Sequence, residues 1–326
     1  MKGLISPLKI FQQFHGGEKG KKEALSQLKI LIEKVDDLKL RVAAIKYYGK
    51  IGGSQGDFDF LENIIISDSK PLVRNEALKV LFSHFSHDAL DPLSWLLEHE
   101  RSPLILSTLR FTLENSRYSL LQSLRDDMDT CLRNLTPIFG VSLEETKFFL
   151  DVEAILEREG GDHALGRSTV HFYEILRGEQ GGLSWIKIED GRVTSLKLNY
   201  FQWEYVRQNL DIIKSLLSLK DVSLFLSLLE KHSLRGAFSF ELPGSIRLLT
   251  HLRTLDLSRG HLKEFPGELR ALPRLTTLIL NHNEITVLPP WIRTLTSLML
   301  LDLRHNPLQE LSAEQISFLG TLTLKR

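Results

Sequence analysis

The sequence is poor in cysteine, in net charge and in long apolar runs. Of 326 residues only Cys131 is a cysteine, so an internal disulfide is impossible and a reducing compartment is expected. Lys+Arg and Asp+Glu number 41 each, which argues against a dedicated nucleic-acid coat or a membrane-surface binder. No apolar run approaches the roughly 20 residues of a spanning helix, and residues 1–17 lack the pattern of a signal peptide. We therefore expect a cytoplasmic protein with no membrane partner.

Leucine, in contrast, is abundant, and its spacing is periodic near the C-terminus. The pattern Leu252-x-x-Leu255-x-Leu257 returns as Leu275-x-x-Leu278-x-Leu280, and again as Leu298-x-x-Leu301-x-Leu303, with a constant 23-residue step. Asn283 and Asn306 keep the same step, and the preceding unit has Gly260 at that position. Because one such unit cannot bury its own leucines, this agreement predicts stacked repeats.

The segment RLTTLILNHNEITVLPPWIRTLT at 274–296 resembles the leucine-rich-repeat family, whose pattern is LxxLxLxxNxLxxLPxxIxxLxx. Alternation places Leu278 and Leu280 inward along a short strand. The side-chain amide of Asn283 can satisfy backbone groups where the chain turns away. The resemblance implies a C-terminal solenoid that recognises proteins.

Further strand cores are expected upstream of these repeats. Two candidates are Leu219-x-x-Val222-x-Leu224 and Val193-x-x-Leu196-x-Leu198, with an insertion or short helix at 226–240. Residues 185–199 predict a hairpin around the Asp190-Gly191 turn. This hairpin resembles the caps that open some leucine-rich arrays, and it would cover an otherwise unpaired strand edge.

The N-terminal region has a different period. A 33-residue step relates Arg41 to Arg74, Ala44 to Ala77 and Lys46 to Lys79, and a third unit follows with Leu93, Leu96, Leu97 and Pro103. Apolar residues recur at intervals of three and four, so each unit is predicted to be a pair of amphipathic helices. These units resemble HEAT repeats, with Asp68-x-x-Pro71-x-x-Arg74 as the inter-helix signature. A fourth pair is expected at about 116–135.

These patterns predict an α+β multi-domain protein, in which an α-solenoid of HEAT-like helical hairpins precedes a leucine-rich-repeat solenoid. The HEAT-like repeats are assigned to residues 1–136, and a helical connector to residues 137–184. The leucine-rich-repeat domain with its N-terminal capping hairpin is assigned to residues 185–326. Within the connector, Ser142 and Glu145 fit a capping box at the start of a helix that stops near Gly160.

The sequence contains no convincing catalytic, cofactor or metal motif. GGEKGKK at 16–22 has neither the glycine spacing nor the Ser or Thr of a phosphate loop. His282 and His305 keep the 23-residue step and should stack beneath Arg259, but nothing completes a metal site. Cys131 has no evident catalytic partner. We therefore expect a non-enzymatic protein with no catalytic residue, cofactor or metal.

The informative surface is the outward, concave face of the leucine-rich strands. The outward residues are Thr254, Asp256, Ser258, Thr277, Ile279, Asn281, Leu300, Asp302 and Arg304. Ile279 and Leu300, placed side by side within a charged rim, would have the anatomy of a protein-contact surface. Since isolated exposed apolar residues are common, a face with a purely structural role is the alternative.

The sequence is also compatible with two functions other than protein binding. Lys46 and Lys79 align on the HEAT-like part, and residues 1–50 carry 11 basic and 5 acidic side chains. This basic face could bind nucleic-acid phosphates, with an affinity that falls steeply as salt rises. An enzyme that uses the connector at 160–185 is the third possibility, and it would need a perturbed titratable cluster in a deep pocket.

Overall fold

The computed structural model describes residues 5–85, 89–116, 121–160, 186–197, 242–309 and 311–325. The chain forms two compact units, of which the first comprises Met1–Cys131 and Glu153–Thr169 and the second comprises Leu132–Val152 and Val170–Arg326. The predicted strand core at 219–224 and the insertion at 226–240 lie outside the described residues. The same holds for 161–185, which includes most of the enzyme candidate.

Helices form the described part of the first unit. They are α1 (Pro7–His15), α2 (Lys21–Lys34), α3 (Leu38–Ile51), α4 (Gln55–Ser67), α5 (Pro71–His84), α6 (Leu90–His99) and α7 (Pro103–Asn115), together with parts of two later helices. Helix α2 packs on α3 and α4 packs on α5, while α3 contacts α5 and α5 contacts α7. The helices expected from the 33-residue period are therefore present as elements.

The close approach of α3 and α5 depends on small residues. Ala44 and Ala77 are fully buried. A Cβ atom placed on Gly49 would lie 2.3 Å from Cγ1 of Val80, well inside van der Waals contact. The interface therefore requires glycine at position 49. The repeated alanines in the sequence indicate close helix packing, but they do not indicate the need for this glycine.

The turn inside each of two helical pairs, α4–α5 and α6–α7, carries a carboxylate that binds an arginine of the preceding helical pair. The guanidinium of Arg41 pairs with the carboxylate of Asp68, which also accepts a bond from the Lys70 N–H at 2.9 Å. One repeat later, Nη2 of Arg74 lies 3.0 Å from Oε1 of Glu100. Each ion pair therefore joins two successive helical pairs. The Asp-x-x-Pro-x-x-Arg signature contributes Asp68 to the first ion pair and Arg74 to the second.

The fourth helical pair expected at 116–135 does not occur among the described residues. A single helix, α8 (Gln122–Phe139), occupies this stretch, and the next helix is α9 (Leu143–Gly160). Pro137 lies inside α8 without ending it, and the chain turns only at Gly140, which has a φ of 63°. The boundary expected between residues 136 and 137 consequently falls inside α8.

The described residues of the second unit include a sheet of six strands in chain order. The strands are β1 (Ile186–Glu189), β2 (Arg192–Lys197), β3 (Thr254–Asp256), β4 (Thr277–Ile279), β5 (Leu300–Asp302) and β6 (Thr323–Lys325). Strands β1 and β2 are antiparallel, whereas β2 to β6 are parallel. The register aligns Leu255 with Leu278 and Leu278 with Leu301, so neighbouring coils are related by the 23-residue step.

Leucines fill the interior of these coils. Leu255, Leu278 and Leu301 have no exposed surface, as the inward alternation predicts. Short 3-10 helical turns at Gly244–Leu248, Gly267–Ala271 and Pro290–Thr294 form the opposite wall of the coils. In the last coil the helix α10 (Ala313–Gly320) follows instead. One coil alone would expose its leucines, so the stability of this part comes from stacking.

The hairpin expected at 185–199 is confirmed. Asp190 and Gly191 have φ values of 51° and 69°, which are the left-handed conformations that a tight hairpin turn needs. Strand β2 pairs with β3, so the hairpin covers that edge of the first repeat. The described part of the chain therefore contains the predicted cap.

The hairpin also binds the start of α9. The N–H of Ser142 donates to the Gly191 carbonyl at 3.1 Å, and the Val193 N–H donates to Oε2 of Glu145 at 3.2 Å. Oγ of Ser142 accepts a bond from the Glu145 N–H at 3.4 Å. Only half of the expected capping box therefore forms, because the Glu145 side chain binds the hairpin instead of returning to Ser142.

Candidate functional site

The outward residues of β3, β4 and β5 form rows across the coils. We call the nine residues at the third, fifth and seventh positions of these coils the strand face, and they are Thr254, Asp256, Ser258, Thr277, Ile279, Asn281, Leu300, Asp302 and Arg304. Its first row pairs Thr254 with Thr277 and Thr277 with Leu300. Its second row places Ile279 between Asp256 and Asp302.

Ile279 and Leu300 are diagonal neighbours and not directly paired, which corrects the expectation that they lie side by side. The 23-residue register pairs equivalent positions, whereas Ile279 is fifth in its coil and Leu300 is third. Both side chains are partly exposed. The two residues therefore form an apolar centre that runs obliquely across β4 and β5.

Asp302 is buried and holds two of its neighbours, although the outward pattern predicts it at an exposed rim. Its side chain is 3% exposed. Nη2 of Arg304 lies 2.7 Å from Oδ2 of Asp302, and Nδ2 of Asn281 donates to the same oxygen at 3.0 Å. Burial alone would raise the pKa of Asp302, but these hydrogen bonds hold it below its ordinary value. Asp302 is therefore a fixed anion that orients Arg304, which is itself exposed.

The strand face is more polar around β3 than around its apolar centre. Thr254, Thr277 and Asp256 are partly exposed, whereas Ser258 is buried. Oδ1 of Asp256 accepts the Ser258 N–H at 2.9 Å. The structure thus leaves Asp256 as the accessible acidic group beside Ile279.

Three residues follow the strand face at the next turn of each coil, and we call Arg259, His282 and His305 the basic ladder. They are related by the 23-residue step, and all three are exposed. The imidazole rings of His282 and His305 stack with their centroids 4.0 Å apart and their planes 19° apart, as the repeat spacing predicts. Nothing at this position of the repeat pattern required histidine.

Asn283 and Asn306 hold the turns behind this ladder. Oδ1 of Asn283 accepts the Gly260 and Leu262 N–H groups at 2.8 and 3.1 Å. Nδ2 of Asn283 donates to the carbonyls of Leu257 and Leu280. Asn306 bonds its own coil and the preceding one in the same manner. The expected backbone role of these amides is therefore confirmed.

Sequence reasoning missed a surface groove of about 760 Å³ on another side of the coils. Its apolar lining includes Phe265, Val287 and Trp291, and Glu264 is also part of its wall. The rings of Phe265 and Trp291 meet edge to face with centroids 6.3 Å apart. The sequence signal that could have indicated this groove is the presence of two aromatic residues, Phe265 and Trp291, in successive coils.

The two lysines predicted on the helical part are exposed. Lys46 lies on α3 and Lys79 lies on α5. Nζ of Lys79 is 3.8 Å from Oε2 of Glu76, one helical turn earlier. Helices α3 and α5 contact each other, so the two lysines belong to neighbouring helices, but Glu76 partly offsets the charge of Lys79.

Within the part of the chain that the structure describes, no cluster of three or more His, Cys, Asp or Glu residues could hold a metal ion. The same described residues include no helix that combines the length and the apolar character needed to cross a bilayer.

Comparison with known proteins supports the repeat assignment at the C-terminus. Residues 273–324 match the family model for leucine-rich repeats. A solved leucine-rich-repeat protein of Leptospira interrogans is 34% identical over an aligned part that covers 26% of this chain and 22% of that protein, with a TM-score of 0.24. The chain thus spans about a fifth of the length of that protein, and no curated protein matches. The C-terminal part of the chain, at residues 273–324, is thus similar to leucine-rich repeats.

Proposed function

We propose that the leucine-rich repeats bind a partner protein through the strand face. Repeats of this family generally mediate protein–protein interaction, and residues 273–324 match them. The observation that carries the proposal is the apolar centre. Ile279 and Leu300 are partly exposed, although the opposite side of the same strands already buries a complete leucine core. Side chains that add nothing to that core are available to a partner.

The surroundings of the apolar centre support this proposal. Protein interfaces combine an apolar core with a polar rim. Asp256 flanks Ile279 on one side, and Asp302, which binds the exposed Arg304, flanks it on the other. An arginine fixed by a buried carboxylate has little conformational freedom to lose when a partner binds, which favours affinity.

The helical part is proposed to be HEAT-like and to act with the repeats as a scaffold. The 33-residue step of its helical pairs and the ion pairs Arg41–Asp68 and Arg74–Glu100 support this assignment for α2 to α7. The protein is proposed to be cytoplasmic and non-enzymatic. Burial raises the pKa of the Cys131 thiol, which keeps it protonated and poorly nucleophilic.

The alternative function is nucleic-acid binding through Lys46 and Lys79. It predicts an affinity that falls steeply as salt rises, because phosphate contacts release counterions. An anisotropy titration with a labelled duplex at low salt tests it directly. Binding that is abolished by Lys46→Glu with Lys79→Glu would favour this function over the scaffold.

The main experiment compares two strand-face variants with a matched control. Ile279→Arg and Leu300→Glu place charges on the apolar centre, whereas Val287→Arg places one at another exposed apolar residue of the same coil, 56% exposed. Each full-length protein is used to capture partners from cells of the organism that encodes it. The proposal requires that a partner retained by wild type and by Val287→Arg is lost with both strand-face variants. Retention of every specific partner by Ile279→Arg and Leu300→Glu would overturn it.

A further inference from the structure

The basic ladder has an unusual backbone. Arg259, His282 and His305 have φ values of 58°, 55° and 58°, in the left-handed region that large side chains rarely adopt. The coil register maintains this conformation, since the Arg259 N–H donates to the Asn281 carbonyl at 3.0 Å and the His282 N–H to the Arg304 carbonyl at 2.8 Å. The left-handed turn therefore presents one nitrogen-bearing side chain per coil in a regular row.

Two features make this row suited to an anion. Desolvation is the largest cause that lowers the pKa of His282, and the charges of Arg259, His305 and Arg304 lower it further. Asp302 acts in the opposite direction, but its carboxylate is already bonded to Arg304 and Asn281. A bound anion would offset the positive charges that act on His282 and would favour its protonation.

The ladder adjoins the apolar centre. His282 follows Ile279 by three residues, so at most roughly 10 Å of chain separates their Cα atoms. An extended peptide covers that span in two or three residues. One short segment can therefore place an apolar side chain on Ile279 and Leu300 and a carboxylate on the ladder at the same time.

We propose that the strand face and the basic ladder together bind an extended acidic segment of the partner protein, in which a carboxylate follows an apolar side chain by two or three residues. The proposal rests on the proposed function and adds the chemistry of the partner. Complementary charge is its main support, since Arg259 and Arg304 are exposed and their charges act on His282. Acidic groups described on this side of the coils include Asp256, which is partly exposed, and Asp302, which is buried. Glu284 is a third, and its Oε1 lies 2.8 Å from Nδ1 of His261.

A peptide fits this surface better than a single-stranded nucleic acid. Proteins that bind single strands stack the bases on aromatic side chains. None of the nine strand-face residues is aromatic, and the His282 and His305 rings already stack on each other. The apolar centre, in contrast, offers a side chain of the partner the contact that an interface core requires.

The test uses the full-length protein and two labelled peptides that differ only in charge. Each is a short extended peptide with one leucine, followed two and three positions later by Glu in one peptide and by Gln in the other. A labelled oligothymidine is the third probe. The protein variants are His282→Asn with His305→Asn, and separately Arg259→Asn, because Asn tolerates the left-handed conformation. Val287→Arg is the control.

We expect wild type and the control to bind the Glu peptide about tenfold more tightly than the Gln peptide, a difference that corresponds to about 1.4 kcal/mol. The double histidine variant and Arg259→Asn should each reduce this preference. Binding of the Glu peptide should strengthen as the pH falls from about 8 to about 5, because the pKa of His282 is lowered and its protonation occurs towards the acidic end of this range. The double histidine variant should lose this pH dependence.

Equal affinity for the two peptides, no binding of either, or an unchanged preference in both ladder variants would overturn the inference. Tighter binding of oligothymidine than of the Glu peptide would also overturn it, in favour of a nucleic-acid ligand. The proposed function has its own test, the capture experiment. It is rejected when Ile279→Arg and Leu300→Glu still capture every specific partner. Loss of capture combined with equal peptide affinities would reject the acidic segment and retain the protein-binding strand face.

Discussion

The side-chain Oδ1 of Asn283 lies 2.8 Å from the backbone nitrogen of Gly260, one coil earlier. Gly260 stands at the position where the next two coils have asparagine. It has no side chain to bond neighbouring backbone, and the next coil supplies the acceptor that its N–H needs. A Cβ atom on Gly260 would lie 3.4 Å from this oxygen, so glycine also leaves room for the amide. The stack therefore tolerates this departure from the pattern, and it depends strongly on Asn283.

Replacing Asn283 by Ala should destabilise the repeats. Asn283 is 6% exposed, and its removal leaves the N–H groups of Gly260 and Leu262 without their acceptor. Buried unsatisfied groups cost about 1–3 kcal/mol each, so a loss of about 3 kcal/mol is expected. Thermal unfolding followed by circular dichroism measures it. The control Asn281→Ala removes a partly exposed amide and should cost about 1 kcal/mol or less. Equal effects of the two variants would contradict the account.

The packing of α3 on α5 predicts that Gly49→Ala is destabilising, although alanine favours helix. The added Cβ would meet Val80 at 2.3 Å, and overpacking costs about 1–3 kcal/mol. The control is Gly56→Ala in α4, where nothing lies within 4 Å and a gain of about 0.5 kcal/mol is expected. Adding Val80→Ala to Gly49→Ala should recover part of the loss in melting temperature. Stabilisation by Gly49→Ala would show that the two helices are further apart.

A buried carboxylate should make the helical part sensitive to acid. Asp57 binds the Tyr48 hydroxyl, and its Oδ2 accepts the Gly53 and Ser54 N–H groups at 3.0 and 2.9 Å. Burial raises the pKa of Asp57, but these bonds prevail and lower it to about 2 from its ordinary value of 3.8. Its contribution is therefore present above that ordinary value and is lost as the pH falls towards 2.

The variant Asp57→Asn should cost about 2 kcal/mol near neutral pH, because the amide cannot accept every bond that the carboxylate accepts. The difference in melting temperature between wild type and variant should shrink as the pH falls below about 4. The control is Asp59→Asn, which changes an exposed carboxylate of the same helix and should have little effect. A difference that stays constant with pH would rule out this role of Asp57.

The effect of Glu145 on the stability of the second unit should depend on pH in the opposite direction. Burial is the main cause that raises its pKa, and it outweighs the hydrogen bond from the Val193 N–H and the charge of Arg192. Since the folded pKa is above the unfolded value, the stabilising effect of protonation is present at low pH and is lost as the pH rises through the folded pKa. Glu145→Gln keeps an acceptor for the Val193 N–H and should therefore melt higher than wild type at about pH 8.

This advantage of Glu145→Gln should disappear below the ordinary glutamate pKa of about 4.3. The control is Glu144→Gln, which alters an exposed ion pair with Lys147 and should change stability by about 0.5 kcal/mol or less. Differential scanning calorimetry across this pH range makes the comparison. An advantage for Glu145→Gln that is the same at every pH would refute the assigned burial effect.

The repeats could be predicted from the sequence because their determinants are local and periodic. One 23-residue step fixes the inward leucines, the Asn283 bonds and the stacking of His282 on His305. The cap hairpin was equally accessible, since Asp190-Gly191 between two short apolar runs predicts a tight turn. Strand β6 was missed, because Leu324 keeps the 23-residue step from Leu301 while Thr321 stands where the pattern requires leucine.

Contacts between distant residues could not be predicted. The bond from the Val193 N–H to Glu145 joins residues 48 positions apart, and no local pattern indicates that the glutamate leaves its capping box. Burial of Asp302 depends on Arg304 and Asn281 in combination, whereas strand alternation predicts only the side from which it projects. The diagonal placement of Ile279 and Leu300 could have been predicted from the repeat. Ile279 is fifth in its coil and Leu300 is third, so the two residues cannot be directly paired.

The most direct test of the central claim is site-specific photo-cross-linking in living cells. A benzophenone amino acid replaces Ile279 on the strand face and, in a matched protein, Val287 on another side of the same coil. The account predicts a discrete adduct with a partner protein from position 279, lost when Leu300→Glu is added, and no such adduct from position 287. Identical adducts from both positions, or none from position 279, would contradict it.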